Sequence, residues 1–264
     1  MPIFNQVVSG GGSAPATKYG VNLDGWIGDI NINGNIRTDQ AVGTLNMPTL
    51  SSIEGWAGKF SGSTGLVGVQ NLSGATIIYE YGLQSCFEGT NITGLNLSAV
   101  TQIGISGLLN VCSGVTTLTS VDLSSLDFVD PYGLQGAFAG TGLTSLVLPI
   151  SLFGLGNGDG SFWHLNEMCK NCSSLQSLSF PNTTPTSFSN ILQWYEDSLG
   201  EQGEVYNAIA DCMGSVVYGC SGVTVHFTQS IGAQIADEGH TAAEMATVLG
   251  GTNTTVLFDL TDPA

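Results

Sequence analysis

The sequence predicts an α/β-type repeat solenoid, with short strands in a parallel ladder joined by short helical or irregular arcs. Its ends are predicted to be an N-terminal hairpin cap and a C-terminal helix-strand cap. Three observations carry this reading. One pattern of large apolar residues recurs six times, the copies follow one another at roughly 25 residues, and each copy runs into a segment with apolar residues at alternate positions.

Residues 1–17 open with "PIFNQVV", a short apolar strand, followed by the linker-like "SGGGSAPAT". Over 18–54, "YGVNLDGWIGDININGNI" places Asn33-Gly34 between apolar alternations, a hairpin signal that suits a cap on the first repeat. The repeats occupy 55–230. Phe60, Phe87, Cys112, Phe138, Cys169 and Val217 form one column. Four residues earlier stand Trp56, Leu83, Leu108, Leu134, Leu165 and Met213, at steps of 27, 25, 26, 31 and 48 residues. Two residues after the Phe column come Gly62, Gly89, Gly114, Gly140, Asn171 and Gly219. Strand segments such as "LTSVDLS", "LTSLVLP" and "LQSLSFP" follow. One such unit cannot bury its own apolar face, whereas stacked units share a continuous core. The long last step holds an insertion at about 183–211, where Ile191, Leu192, Tyr195 and Leu199 fall at near-helical spacing. Over 231–264, Thr241 with Glu244 forms a capping box, Gly250 supplies a helix stop, and "TTVLFDL" reads as a final strand.

Composition narrows function. With 42% hydrophobic residues the core is ample; with 9% charged residues, solubility rests on Ser, Thr, Asn and Gly. Four Lys+Arg against 21 Asp+Glu give a formal charge of -17, which repels nucleic acid and anionic membranes alike. The start lacks a basic n-region and no run of ~18 apolar residues occurs, so neither a secretory signal nor a transmembrane helix is expected.

Chemistry-bearing motifs are few. "CKNC" has zinc-ligand spacing, but its cysteines sit in buried columns and read as small core residues. In "DININGNIRTDQ", Asp29, Asn31, Asn33 and Asn35 match alternate ligand positions of a calcium loop. Gln40 stands where a bidentate Glu is needed, so the hairpin turn is the favoured reading and Ca²⁺ the lesser one. His164, His226 and His240 fall in different contexts, and no Gly-x-Ser-x-Gly, HExxH or Walker motif occurs. No nucleophile–base–orienter set emerges, which points away from an enzyme and from any bound cofactor.

"GLQGAFAGTGLTSLVLP" and "CKNCSSLQSLSFP" resemble the BspA-like class of leucine-rich repeats over about residues 55–230. The flanks "YGVNLDGWIGDININGNI" and "GGTNTTVLFDL" resemble leucine-rich repeat proteins encoded by gut bacteriophages and prophages. The resemblance implies a binding role in adhesins or virion proteins, with no transferable list of binding residues. It leads to the expectation of a tail-associated or fibre-like virion protein presenting a host-recognition surface. Ile3, Phe4, Val7 and Val8 would anchor it to other virion proteins by strand addition. Trp194 and Tyr195 are candidate contacts for a host cell-surface ligand, although packing onto the core is the commoner fate of such side chains. A homo-oligomer is expected by analogy with fibres. The alternatives are a capsid decoration or head fibre protein, a bacterial surface adhesin, and an interaction module.

Overall fold

The structure, a computed structural model, describes residues 19–22, 36–155, 162–200 and 202–263. Three parallel sheets run through them. The first joins β1 (Tyr19–Asn22), β2 (Ile36–Gly43), β4 (Gly65–Asn71), β6 (Asn91–Asn96) and β8 (Ser120–Asp122). The second joins β10 (Ser145–Val147), β12 (Ser177–Ser179), β13 (Thr224–Thr228) and β14 (Thr255–Leu260). The third consists of two-residue strands: β3 (Ser52–Ile53), β5 (Ile77–Ile78), β7 (Gln102–Ile103), β9 (Phe128–Val129) and β11 (Leu152–Phe153). With the helices described below, this is an α/β-type fold.

Inward residues stack in register along the sheets. Leu95 lies opposite Val121, Leu146 opposite Leu178, Leu178 opposite Val225, and Val225 opposite Val256. The two-residue strands add a second line, in which Ile53, Ile78, Ile103, Val129 and Phe153 are all fully buried. That sheet goes unannounced in the sequence because one apolar residue per unit is too short a run to show alternation.

Between these strands the chain forms a ribbon of overlapping turns. In the second unit the N–H groups of Gly82, Gln84 and Cys86 donate three residues back, to Tyr79, Tyr81 and Leu83. Those of Tyr81, Leu83, Ser85 and Phe87 donate to the next unit, at Ile105, Gly107, Leu109 and Val111. Alternate backbone donors therefore serve the unit and its neighbour, and none is left over in a buried arc. Every member of the Phe column is buried. Each donates its N–H to the residue just before the next member: Phe60 to Cys86, Phe87 to Val111, Cys112 to Ala137, Phe138 to Met168 and Cys169 to Val216, at 2.8–3.1 Å. Phe60 and Phe87 stack face to face at 5.9 Å. Columns aligned by sequence are thus neighbours in space.

Helices take over towards the C-terminus. A 3-10 turn, Pro185–Phe188, leads into α1 (Ser189–Leu199), which stops at Gly200 in the left-handed region (φ 69°), and α2 (Val205–Met213) follows. Then come α3 (Gln229–Asp237), which the sequence reading had not separated from the end of the repeats, and α4 (Ala242–Leu249). Thr241 and Glu244 close a capping box on α4, whose unpaired C-terminal carbonyls at Val248 and Leu249 accept from Ser215 and Val217, the last ribbon donors.

At the N-terminal end β1 and β2 pair in parallel, Tyr19 opposite Ile36. The Asn33-Gly34 turn itself lies outside the described residues. Among the described residues, no helix is long and apolar enough to cross a membrane.

Candidate functional site

The ribbon's geometry sets out the site. In each unit from the second to the fourth, every fourth residue takes a left-handed conformation: Tyr81, Ser85 and Gly89; Ser106, Asn110 and Gly114; Tyr132, Gly136 and Gly140. Between these corners lie core residues such as Leu83 and Phe87, which are fully buried, while at the corners Tyr81 is exposed, Ser85, Asn110 and Tyr132 are half-buried and Ser106 is buried. Two residues after the Phe column, all six units are left-handed, at φ 77°, 68°, 75°, 67°, 58° and 75°. Glycine, or Asn171, fills that column because in a left-handed backbone the Cβ of most L-residues crowds the residue's own following carbonyl, which glycine avoids and asparagine tolerates.

Six residues before the Phe column, the same conformation is filled differently. Tyr81 (φ 54°), Ser106 (φ 54°) and Tyr132 (φ 59°) adopt it; Trp163 follows at the same sequence spacing without the positive φ. Backbone bonds Tyr81 to Ile105, Ser106 to Pro131 and Tyr132 to Trp163, at 3.0–3.2 Å, hold these positions side by side. A tyrosine at positive φ is a strained choice, of about 1–3 kcal/mol, and such strain concentrates where a surface is used. These aromatics are also exposed: Tyr81 by 46% and Trp163 by 51%, with Tyr79 beside them at 47%. Tyr132 and Trp163 pack edge to face at 6.2 Å.

Between the two aromatic walls the floor is small. Ser106 is buried, and Gly104 has no room for a side chain, since a Cβ would lie 3.0 Å from the Glu80 nitrogen. Two ladder steps separate Tyr81 from Tyr132, roughly 9–10 Å. One saturated ring between aromatic faces takes roughly 7–8 Å, a spacing that fits within those two ladder steps. Asp130, level with Gly104 in the ladder, sets its carboxylate over Gly154 of the next unit, and burial pushes that carboxyl above the usual range. Glu80 is exposed on the Tyr81 wall. Aromatic faces with carboxylate acceptors at the rim suit an uncharged polyhydroxylated ring, whose C–H face stacks and whose hydroxyls donate. They disfavour an anion.

His164, next to Trp163 in the chain, is fully buried. Its ring nitrogens face the Phe162 and Gly154 carbonyls, the latter at 2.8 Å, and it packs edge-on against Phe153. Burial pushes its pKa down to about 4, against the pull of those carbonyls.

The residues singled out in the sequence fall elsewhere. Tyr195 is buried and donates to the Asp211 carboxylate, and it shares an aromatic cluster with Phe162 and the half-buried Trp194. Tyr195 is therefore no surface contact: α1 turns it onto the core, where its ring buries a large area and its hydroxyl finds a partner. All six cysteines are buried and unpaired. Cys172 and Cys220 donate to the Phe138 and Cys169 carbonyls of the preceding units at 3.0 Å. Asp29, Asn31, Asn33 and Asn35, like Ile3, Phe4, Val7 and Val8, lie outside the described residues. The aromatic column escaped the sequence reading because its signal, Tyr81, Ser106, Tyr132 and Trp163 each six residues before the Phe column, becomes visible only once the arc is known to expose that position.

No protein-family model, curated protein or solved structure matches this chain.

Proposed function

We propose that the chain is a non-enzymatic leucine-rich repeat solenoid carried on a phage particle, tail-associated or fibre-like, which recognises an uncharged glycan of the host surface through the trough between Tyr81 and Trp163. One observation carries the reading: the bulky Tyr81 occupies a left-handed, exposed corner where Gly or Asn would be less strained, with the half-buried Tyr132 and the exposed Trp163 further along the same ribbon. The formal charge of -17 is consistent with a particle component that avoids nucleic acid and anionic lipid. Residues 1–17 would supply the mount. Two measurements test the two halves. Wild-type protein should bind polysaccharide from susceptible cells, and Trp163→Ala should weaken that binding at least about tenfold with thermal stability retained; unaltered binding by the variant removes the trough from the account. Electron microscopy of particles should show the protein, and deletion of 1–17 should remove it. Recovery only from soluble or wall fractions overturns the particle assignment.

A further inference from the structure

The parallel ladder is interrupted at one step. The N–H two residues past the inward strand position donates to the next strand at Leu72 to Asn96, Leu97 to Asp122, Leu148 to Ser179 and Phe180 to His226, at 2.9–3.0 Å. The equivalent bond, Leu123 to Val147, is missing, and no backbone bond joins 119–124 to 144–149 among the described residues. In its place is a crevice of about 440 Å³, lined by Val121, Asp122, Leu123, Leu146, Val147 and Pro149 among others. It is shut at both ends. On one side Gly142 packs so tightly that a Cβ would lie 2.5 Å from the Thr116 carbonyl; on the other Ser151 donates to Asp127 and β11 pairs with β9. A strand cannot pass through such an opening, but a side chain can enter it from outside.

The molecule shows what fits. Where β4 bulges at Gly68/Val69, the Leu45 N–H loses its backbone partner, and the fully buried Gln70 side chain replaces it. Gln70 Oε1 accepts from Leu45 N at 2.9 Å while Nε2 donates to the Val67 carbonyl at 2.8 Å. A primary carboxamide thus supplies both halves of a broken ladder step. The crevice presents the same complement, the Leu123 N–H and the Val147 carbonyl, beside apolar walls, and none of its lining residues carries an amide side chain. We infer that the crevice between β8 and β10 is a docking site for an Asn or Gln side chain of a partner protein. Asp122 at the rim and the formal charge of -17 favour a partner with basic residues flanking the amide, and disfavour a second copy of this chain.

The test is amide NMR of the full chain titrated with acetyl-Lys-Gln-Lys-N-methylamide, and with the same peptide carrying Leu in place of Gln. The Gln peptide should give saturable shifts at Leu123 and Val147, and the Leu peptide should bind about tenfold more weakly. Ser124→Trp, a change at an exposed lining residue, should block the mouth and abolish the shifts. Absence of saturable shifts, or equal shifts with both peptides, overturns the inference and leaves a solvent-filled gap. Concentration-dependent broadening at the same residues without peptide overturns it in favour of self-association. Trough variants such as Trp163→Ala should leave the titration unchanged, which separates this site from the proposed glycan surface.

Discussion

Two columns of one ribbon share a backbone conformation and differ in what fills it. The column two residues after the Phe positions is left-handed in all six units and is glycine in five, asparagine in the other. The column six residues before the Phe positions is left-handed at Tyr81, Ser106 and Tyr132, of which Tyr81 is exposed, Tyr132 half-buried and Ser106 buried. The first column is what the backbone alone would select. The second departs from that choice at positions where nothing in the core asks for a ring, so its residues answer to something outside the fold.

Four perturbations sharpen or break this contrast. The largest sets the scale of the core beneath both columns: Phe87→Ala should lower stability by about 3–5 kcal/mol, read by chemical denaturation, because Phe87 is fully buried and stacked on Phe60. A loss below about 1 kcal/mol would show that the units are not packed as described. The second is at His164, the buried residue that follows Trp163. That imidazole is neutral in the folded chain down to about pH 4, whereas its ordinary value is 6.5. Below 6.5 the unfolded chain takes up a proton that the folded one refuses, so stability falls as pH drops from 6.5 towards 4, by about 3 kcal/mol in all. His164→Gln should remove that part of the slope.

The third is Gly114→Ala, at φ 75° with nothing within 4 Å of the new Cβ. Any loss is then backbone strain alone, about 1 kcal/mol after the stiffer unfolded chain is allowed for. The smallest is Tyr81→Asn. Asn tolerates the left-handed region, so stability should hold or rise by up to about 1 kcal/mol while glycan binding drops.

The sequence showed the Phe column, the Gly column and the strand ladder because each repeats one physical demand at a fixed step: burial at Phe60, Phe87 and Phe138, left-handed backbone at Gly62, Gly89 and Gly114. It hid what depends on how the arc turns. Tyr79 and Tyr81 look like any two aromatics two residues apart until the turn ribbon shows which way they face. Trp194 and Tyr195 stand out as a pair in the sequence, yet α1, about three turns long, places Tyr195 against Phe162. Asn33-Gly34 carries a strong local turn signal, and it lies outside the described residues. The interruption between β8 and β10 left no mark in "LTSVDLS" or "LTSLVLP", which look like their neighbours.

The most direct test measures unfolding free energy by urea denaturation for Gly114→Ala and Tyr81→Asn side by side. The account predicts opposite outcomes at two left-handed corners of the same ribbon: a loss for Gly114→Ala, and no loss or a gain for Tyr81→Asn. A clear loss for Tyr81→Asn matching that of Gly114→Ala would contradict it, by showing that Tyr81 is held in place by the fold and not kept for a ligand.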